Sequence, residues 1–269
     1  MIRLRDYFAG HPVFTTVELA AFHRQAGSGN IGTLRVLLSR QHARGTVLCV
    51  RRGVYVVVPL CTGASDVPMD PVLIASRLAP DAVIGYHSAL EFHGHAQSVF
   101  RRVQFLTRTA ARPCSFRATQ FQPVRVPRTL RSGREASLGV EAVDRMGLSV
   151  RVTTIERTCV DVLDRPDLGG GWEEVWRSLE AVPRFDLDAL AAYALRLGNA
   201  TTVAKVGYFL ELNASRLGTS DALLRRLRRR IPKSKHYIDR GSRHGHRLAP
   251  RWNLMVPLDV AEQSWREPG

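Results

Sequence analysis

The sequence predicts an α+β protein in two parts, and three observations carry that prediction. Helical and strand-like apolar spacings both occur and alternate along the chain. Clusters of Gly, Pro, Ser and Asp interrupt it at 27–30 and again at 59–70. The formal charge of +15 is distributed in blocks. Residues 1–58 carry eight Arg against Asp6 and Glu18, and residues 101–134 carry nine Arg and no acid. Residues 216–251 carry ten Arg and two Lys against Asp221 and Asp239. Residues 135–215 run the other way, with 13 acids against eight bases. Separate basic blocks point to a polyanionic partner, most often nucleic acid.

The N-terminal part is expected over residues 1–62. Ile2, Leu4, Tyr7 and Phe8 fall on one side of a short helix over 2–9. Thr15 and Glu18 have capping-box spacing and start a second helix with Val17, Leu19, Ala20 and Phe22. After "GSGN", Ile31, Leu34 and Leu38 set the i, i+3, i+7 stripe of a third helix that Gly45 can end. "GTVLCVRRGVYVVV" (45–58) then reads as a β-hairpin with Arg51 and Arg52 at its tip. Helix, helix, turn, helix, hairpin is the order of a winged helix-turn-helix. In that fold the third helix enters the major groove of DNA. The candidate DNA contacts are Asn30, Thr33, Arg35, Arg40 and Arg44 on or beside that helix. Thr33, Arg40 and Arg44 lie roughly opposite its apolar stripe, and Arg35 lies nearer the flank. Arg51 and Arg52 are the candidates on the wing, where arginine pairs with phosphate or enters the minor groove.

Residues 63–269 are expected to form a larger mixed α+β domain. It is strand-rich over 80–153, helical over 154–231, and closed by a β segment over 236–260. Asp70-Pro71 opens its first helix. "DAVIGYHSALEFHGH" reads as a strand running into a short helix, and further strands are expected at 99–107, 115–126 and 147–153. Thr153 and Glu156 have capping-box spacing, Asp186 caps a helix that Gly198 ends, and Thr201 begins another. Ser220 begins "DALLRRLRRRIP", whose leucines form one face and whose arginines form the other. Arg225, Arg226, Arg228, Arg229 and Arg230 are candidates for contact with nucleic acid or a partner protein.

The chain lacks the roughly 20-residue apolar run of a membrane span and the apolar core of a secretory signal, so a cytoplasmic protein is expected. Cys49, Cys61, Cys114 and Cys159 form no metal-ligand pattern and are expected to be reduced core residues. His87, His93 and His95 are spaced for packing or hydrogen bonding rather than for a metal. Asp186 and Asp188 fit a helix cap with a second acid in the first turn better than a magnesium site. No phosphate loop or nucleophile elbow occurs, so no enzyme, cofactor or metal is expected.

Several segments in order, "FTTVELAAF", "LLSRQHARGTVLCVRRGVYVV", "VIGYHSALEFHG", "TTIERTCVDVLDRPDLGGGWEEVW", "VGYFLELN" and "RWNLMVPL", resemble the AbiEi-type antitoxins of abortive-infection type IV toxin–antitoxin systems. The resemblance implies a winged helix that binds inverted repeats in its own promoter and represses the operon. It also implies a second domain that neutralises a cognate AbiEii-type nucleotidyltransferase toxin, directly or functionally. Inverted repeats go with two protomers, so a monomer pairing on DNA is expected. Glu156, Arg157 and Asp161 match the family's signature segment. Arg157 and Asp161, spaced i, i+4, read first as a helix-face ion pair. The alternatives are a single-function regulator whose second domain senses a ligand in an apolar pocket, an enzyme using Asp186 and Asp188, and an RNA binder using the 216–251 block.

Overall fold

The computed structural model describes residues 4–25, 31–59, 69–131, 137–239 and 245–265. The fold is α+β. The chain divides into two compact units. The first comprises Met1–Ile84, Arg101–Arg125 and Ala142–Arg151, and the second comprises Gly85–Phe100, Val126–Glu141 and Val152–Gly269. No helix among the described residues is long and apolar enough to cross a membrane.

The first unit opens with α1 (Leu4–Gly10), β1 (Val13–Thr15), α2 (Thr16–Gln25), α3 (Ile31–Ala43), β2 (Val47–Arg51) and β3 (Val54–Val57). The strands form a sheet in the order β1-β3-β2, with Val13 opposite Val56 and Val47 opposite Val57, both antiparallel. β1 has no signature in the sequence. Three residues are too few to show alternation, and pairing with β3 is what makes them a strand. Tyr7, Phe8, Phe14, Leu19, Leu34, Leu38 and Val47 form the core. Phe14 lies at its centre, with ring centroids 5.4 Å from Phe8 and 5.7 Å from both Tyr7 and Tyr55. The capping box forms as expected. Thr15 N–H donates to Glu18 Oε2 (2.7 Å), and Glu18 N–H donates to Thr15 Oγ1 (3.1 Å). Thr15→Ala is expected to cost about 1 kcal/mol, read as a lower urea midpoint; an unchanged midpoint would show that the sheet alone fixes the start of α2.

α4 (Pro71–Arg77) follows, capped by Asp70, whose carboxylate accepts from Val72 N–H (2.9 Å) and Leu73 N–H (3.3 Å). Residues 60–68, most of the expected linker, lie outside the described residues, as does Cys61. Most of a six-stranded sheet belongs to this unit. Its strands are β4 (Val83–Ile84), β5 (Arg102–Thr107), β6 (Cys114–Phe116), β7 (Thr119–Arg125), β8 (Val140–Arg145) and β9 (Leu148–Thr153), ordered β6-β7-β5-β4-β9-β8. The single strand expected over 115–126 is in fact a hairpin. Arg117 at φ +51° turns the chain between β6 and β7, a backbone state unusual for a residue with a Cβ.

The second unit holds α5 (His87–Phe92), α6 (Ile155–Asp164), α7 (Trp172–Glu180), α8 (Leu187–Leu197), α9 (Ala200–Leu212), α10 (Ala214–Leu217) and α11 (Asp221–Arg228). It ends with β10 (His236–Tyr237), β11 (His246–Ala249), β12 (Leu254–Pro257) and α12 (Leu258–Glu262). α6 lies at its centre, with Cys159, Val160, Val162 and Leu163 fully buried. Thr154, rather than Thr153, caps it, with Oγ1 accepting from Arg157 N–H (3.4 Å). Thr153 still belongs to β9, and its hydroxyl bonds that of Thr158 (2.7 Å). Glu156 therefore closes no box, and its carboxylate accepts from Asp186 N–H instead (3.1 Å). α9 begins at Ala200, one residue before the expected Thr201, and Asn199 caps it. Asp186 and Ser220 cap α8 and α11, and Gly198 ends α8 in the left-handed conformation. Of the described cysteines, Cys159 is a core residue, whereas Cys49 and Cys114 are half-buried. All three are free thiols.

A buried carboxylate ties α7 to the segment after α5. Glu174 accepts from the Gln97 and Ser98 amides (2.9 and 3.1 Å), from the Ser98 and Ser178 hydroxyls (2.7 and 3.1 Å), and from His87 Nε2 (3.0 Å). Burial pushes its carboxyl up. The hydrogen bonds to the charged form outweigh that and hold it below the ordinary glutamate range. A depressed carboxyl contributes stability above its unfolded-state value and loses that contribution as pH falls through its folded value. The urea midpoint is therefore expected to drop on acidification. Glu174→Gln should lower it at neutral pH and make the acid drop shallower. An equal acid drop in both proteins would remove Glu174 as the cause.

Candidate nucleic-acid interface

α3 is amphipathic, and its own packing defines its outer face. Leu34 and Leu38 are buried, and Leu37 and Gln41 are half-buried beside them. The side chain of Ile31 and all of Asn30 lie outside the described residues. Thr33, Arg35, Arg40 and Arg44 are all exposed. At about 100° per residue, the half-burial of Leu37 and Gln41 moves the centre of the buried face toward them. The point opposite the core therefore falls on Val36, Ser39 and Ala43 rather than on Arg40. Thr33, Arg40 and Arg44 form one edge of the outer face, and Arg35 forms the other. Sequence reasoning missed Val36, which is 52% exposed. Its signal was an apolar residue off the stripe.

The hairpin turns at Arg52 and Gly53, and Gly53 adopts φ +91°. The Gly53 carbonyl accepts from Thr16 N–H (2.9 Å), which fixes the turn against the start of α2. The two wing arginines differ. Arg51 is half-buried at the end of β2, and its guanidinium donates to the Leu78 carbonyl after α4. Arg52 is exposed. Among the described residues, the side chains of Arg35, Arg40, Arg44 and Arg52 have no ion-pair or hydrogen-bond partner. A solvated guanidinium with five unused donors can take a phosphate bidentately without first breaking an internal bond.

The 225–230 block divides in the same way. Arg225, Arg226, Arg229 and Arg230 are exposed around the buried Leu223, Leu224 and Leu227. Arg228 is structural. It pairs with Glu211 (2.6 Å) and lies 5.1 Å from the ring centre of Trp252. Glu211 also accepts from Trp252 Nε1 (2.7 Å) and Arg251 (3.0 Å).

Asp186, His87 and His93 have structural partners, and Asp188 is exposed in the first turn of α8. Asp186 Oδ1 accepts from Ala189 N–H (2.9 Å) as the cap of α8. His93 Nε2 donates to the Thr153 carbonyl (2.7 Å), and the ring of His87 stacks on Phe100 with centroids 4.1 Å apart. Among the described residues no three His, Cys, Asp or Glu side chains gather as metal ligands. The Arg157–Asp161 pair lies inside the unit, each side chain 2% exposed, rather than on a helix surface. A cleft of about 1100 Å³ in the second unit is lined by Asp164, Trp172, Asn199, Lys205, Lys235 and His236, among others. That lining is mostly polar, unlike the apolar pocket a hydrophobic effector needs.

No family model and no curated protein matches the chain. Among solved structures the chain is similar to the crystal structure of the RV2827C protein from Mycobacterium tuberculosis, with 16% sequence identity and a TM-score of 0.61. The match covers 98% of this chain and 93% of that one, and at this identity it shows a shared fold along nearly the whole length and nothing beyond the fold.

Proposed function

We propose that residues 4–58 form a winged helix-turn-helix that binds promoter DNA, and that the chain is an autorepressing antitoxin of a type IV toxin–antitoxin system. One observation carries the DNA half: the exposed face of α3 and the wing hold Arg35, Arg40, Arg44 and Arg52, whose guanidinium groups are unpaired among the described residues. The arrangement α1-β1-α2-α3-β2-β3, with the wing hairpin on the sheet, supports the same reading. The antitoxin half rests on the resemblance of the segments quoted above. In this reading the partner is a cytoplasmic nucleotidyltransferase toxin, the chain is not an enzyme and needs no cofactor, and two monomers pair on inverted repeats.

The test uses the full chain and the duplex upstream of its own gene. Arg40→Ala, Arg44→Ala and Arg52→Ala combined are expected to weaken binding. They should also flatten its dependence on log salt by about 0.9 for each phosphate that is no longer neutralised. Arg51→Ala should instead lower stability, because it leaves the Leu78 carbonyl without its donor. Co-expression with the adjacent gene tests the second half. The triple variant should restore growth as fully as the parent chain. A triple variant with unchanged affinity and salt slope would sink the DNA interface. A harmless neighbour, or a toxic one that the parent chain does not counter, would sink the antitoxin reading. A regulator responding to a polar ligand would then be favoured by the cleft beside Trp172 and Lys205.

A further inference from the structure

The centre of α3's outer face is small and apolar, while its edges are basic. Gly32, Ser39 and Ala43 are exposed there and leave room for the helix backbone to approach a partner. Val36 stands among them at 52% exposure and is the exposed branched apolar side chain among the described side chains of α3. A β-branched residue gains nothing in helix propensity at such a site and leaves a methyl pair in water. Thr33 lies one turn before it and Arg40 one turn after it, both exposed. The major groove admits a helix about this wide. The one apolar group on its floor is the 5-methyl of thymine.

Resting on the DNA-binding reading above, we infer that Val36 is a specificity-determining residue that packs on a thymine methyl while Arg40, Arg44 and Arg35 hold the flanking phosphates. The charge of the edges commits this face to a polyanion, and the apolar centre commits it to base edges rather than to backbone alone. An Arg or Lys at this position would read guanine, and an Asn or Gln would read adenine. Valine has neither donor nor acceptor and distinguishes thymine by shape.

The experiment selects duplexes from a randomised library with the full chain, then replaces each thymine of the selected site by uracil, one at a time. Uracil keeps every hydrogen-bonding group and lacks the methyl. One or two positions per half-site are expected to bind about fourfold more weakly, the effect of uncovering one buried methyl. With Val36→Ala the same uracil substitutions should have little further effect, and uracil positions elsewhere should be silent in both proteins. Specific binding with no uracil-sensitive thymine, or sensitivity that persists in Val36→Ala, overturns the inference and leaves the DNA reading in place. No enriched duplex overturns the DNA reading and the inference together. If in addition Val36→Glu converts a dimer to a monomer in solution, the face is an interface between copies of this chain.

Discussion

Asp161→Ala is expected to destabilise the second unit by about 3–5 kcal/mol, the cost of breaking a buried ion pair from one side. Asp161 accepts from Arg157 Nε (3.2 Å) and from the Tyr193 hydroxyl (2.6 Å). Arg157 also donates to the Leu138 carbonyl (2.9 Å) and lies 5.3 Å from the ring centre of Tyr193. Burial pushes the Tyr193 phenol well above its ordinary value, so that group remains the donor. Burial also pushes the Asp161 carboxyl up, against the pull of Arg157. Removing the carboxylate leaves a buried guanidinium and a buried hydroxyl without the acceptor they share. All four tryptophans, at 172, 176, 252 and 265, belong to the second unit, so intrinsic fluorescence follows the unfolding of that unit. Arg157→Met combined with Asp161→Leu should cost less than Asp161→Ala alone, because it removes both charges together. A single substitution costing under about 1 kcal/mol would place the pair among surface bridges, contrary to its 2% exposure.

Gly207→Ala is expected to cost about 3 kcal/mol, because α9 has no room for a Cβ there. An added Cβ would lie 2.0 Å from Trp252 Cζ3 and 2.2 Å from Cη2, far inside van der Waals contact. Trp252 is fully buried and held through Nε1 by Glu211, one turn along the same helix. The ring cannot move aside without breaking that bond, so the cost approaches that of truncating a buried aromatic. Gly207→Ala with Trp252→Leu should be markedly less destabilised than the sum of the two single changes, since the leucine vacates the space the new methyl needs. Additive effects would show that the glycine acts through α9 alone.

Buried partnerships of this kind explain why several segments of the sequence stand out. "VGYFLELN" and "RWNLMVPL" meet where Trp252 covers Gly207 and bonds Glu211. "VIGYHSALEFHG" and "GGGWEEVW" meet at His87 and Glu174. "IERTCVDVLDRP" supplies Arg157 and Asp161. Four of the six quoted segments therefore supply interior contacts of the second unit, whereas the proposed DNA-reading residues lie on solvent-facing positions of α3 and the wing.

Features encoded within a few residues are legible along the chain before any fold is known. The Thr15–Glu18 box, the caps at Asp70, Asp186 and Ser220, the stop at Gly198 and the stripe of Leu34 and Leu38 are such features, since caps and helical spacing act over one turn. The exposure of Thr33, Arg35, Arg40, Arg44 and Arg52 followed from those local rules. Tertiary structure alone decided which arginines have internal partners. Arg51 and Arg228 look like their neighbours in sequence, yet one binds a carbonyl 27 residues away and the other a carboxylate 17 residues away. It also decided that Val13–Thr15 is a strand, that 114–125 is a hairpin, and that α7 reaches back 87 residues to His87. Periodicity and capping are properties of one element, whereas burial and partner choice depend on a second segment brought alongside at a distance that no local pattern records.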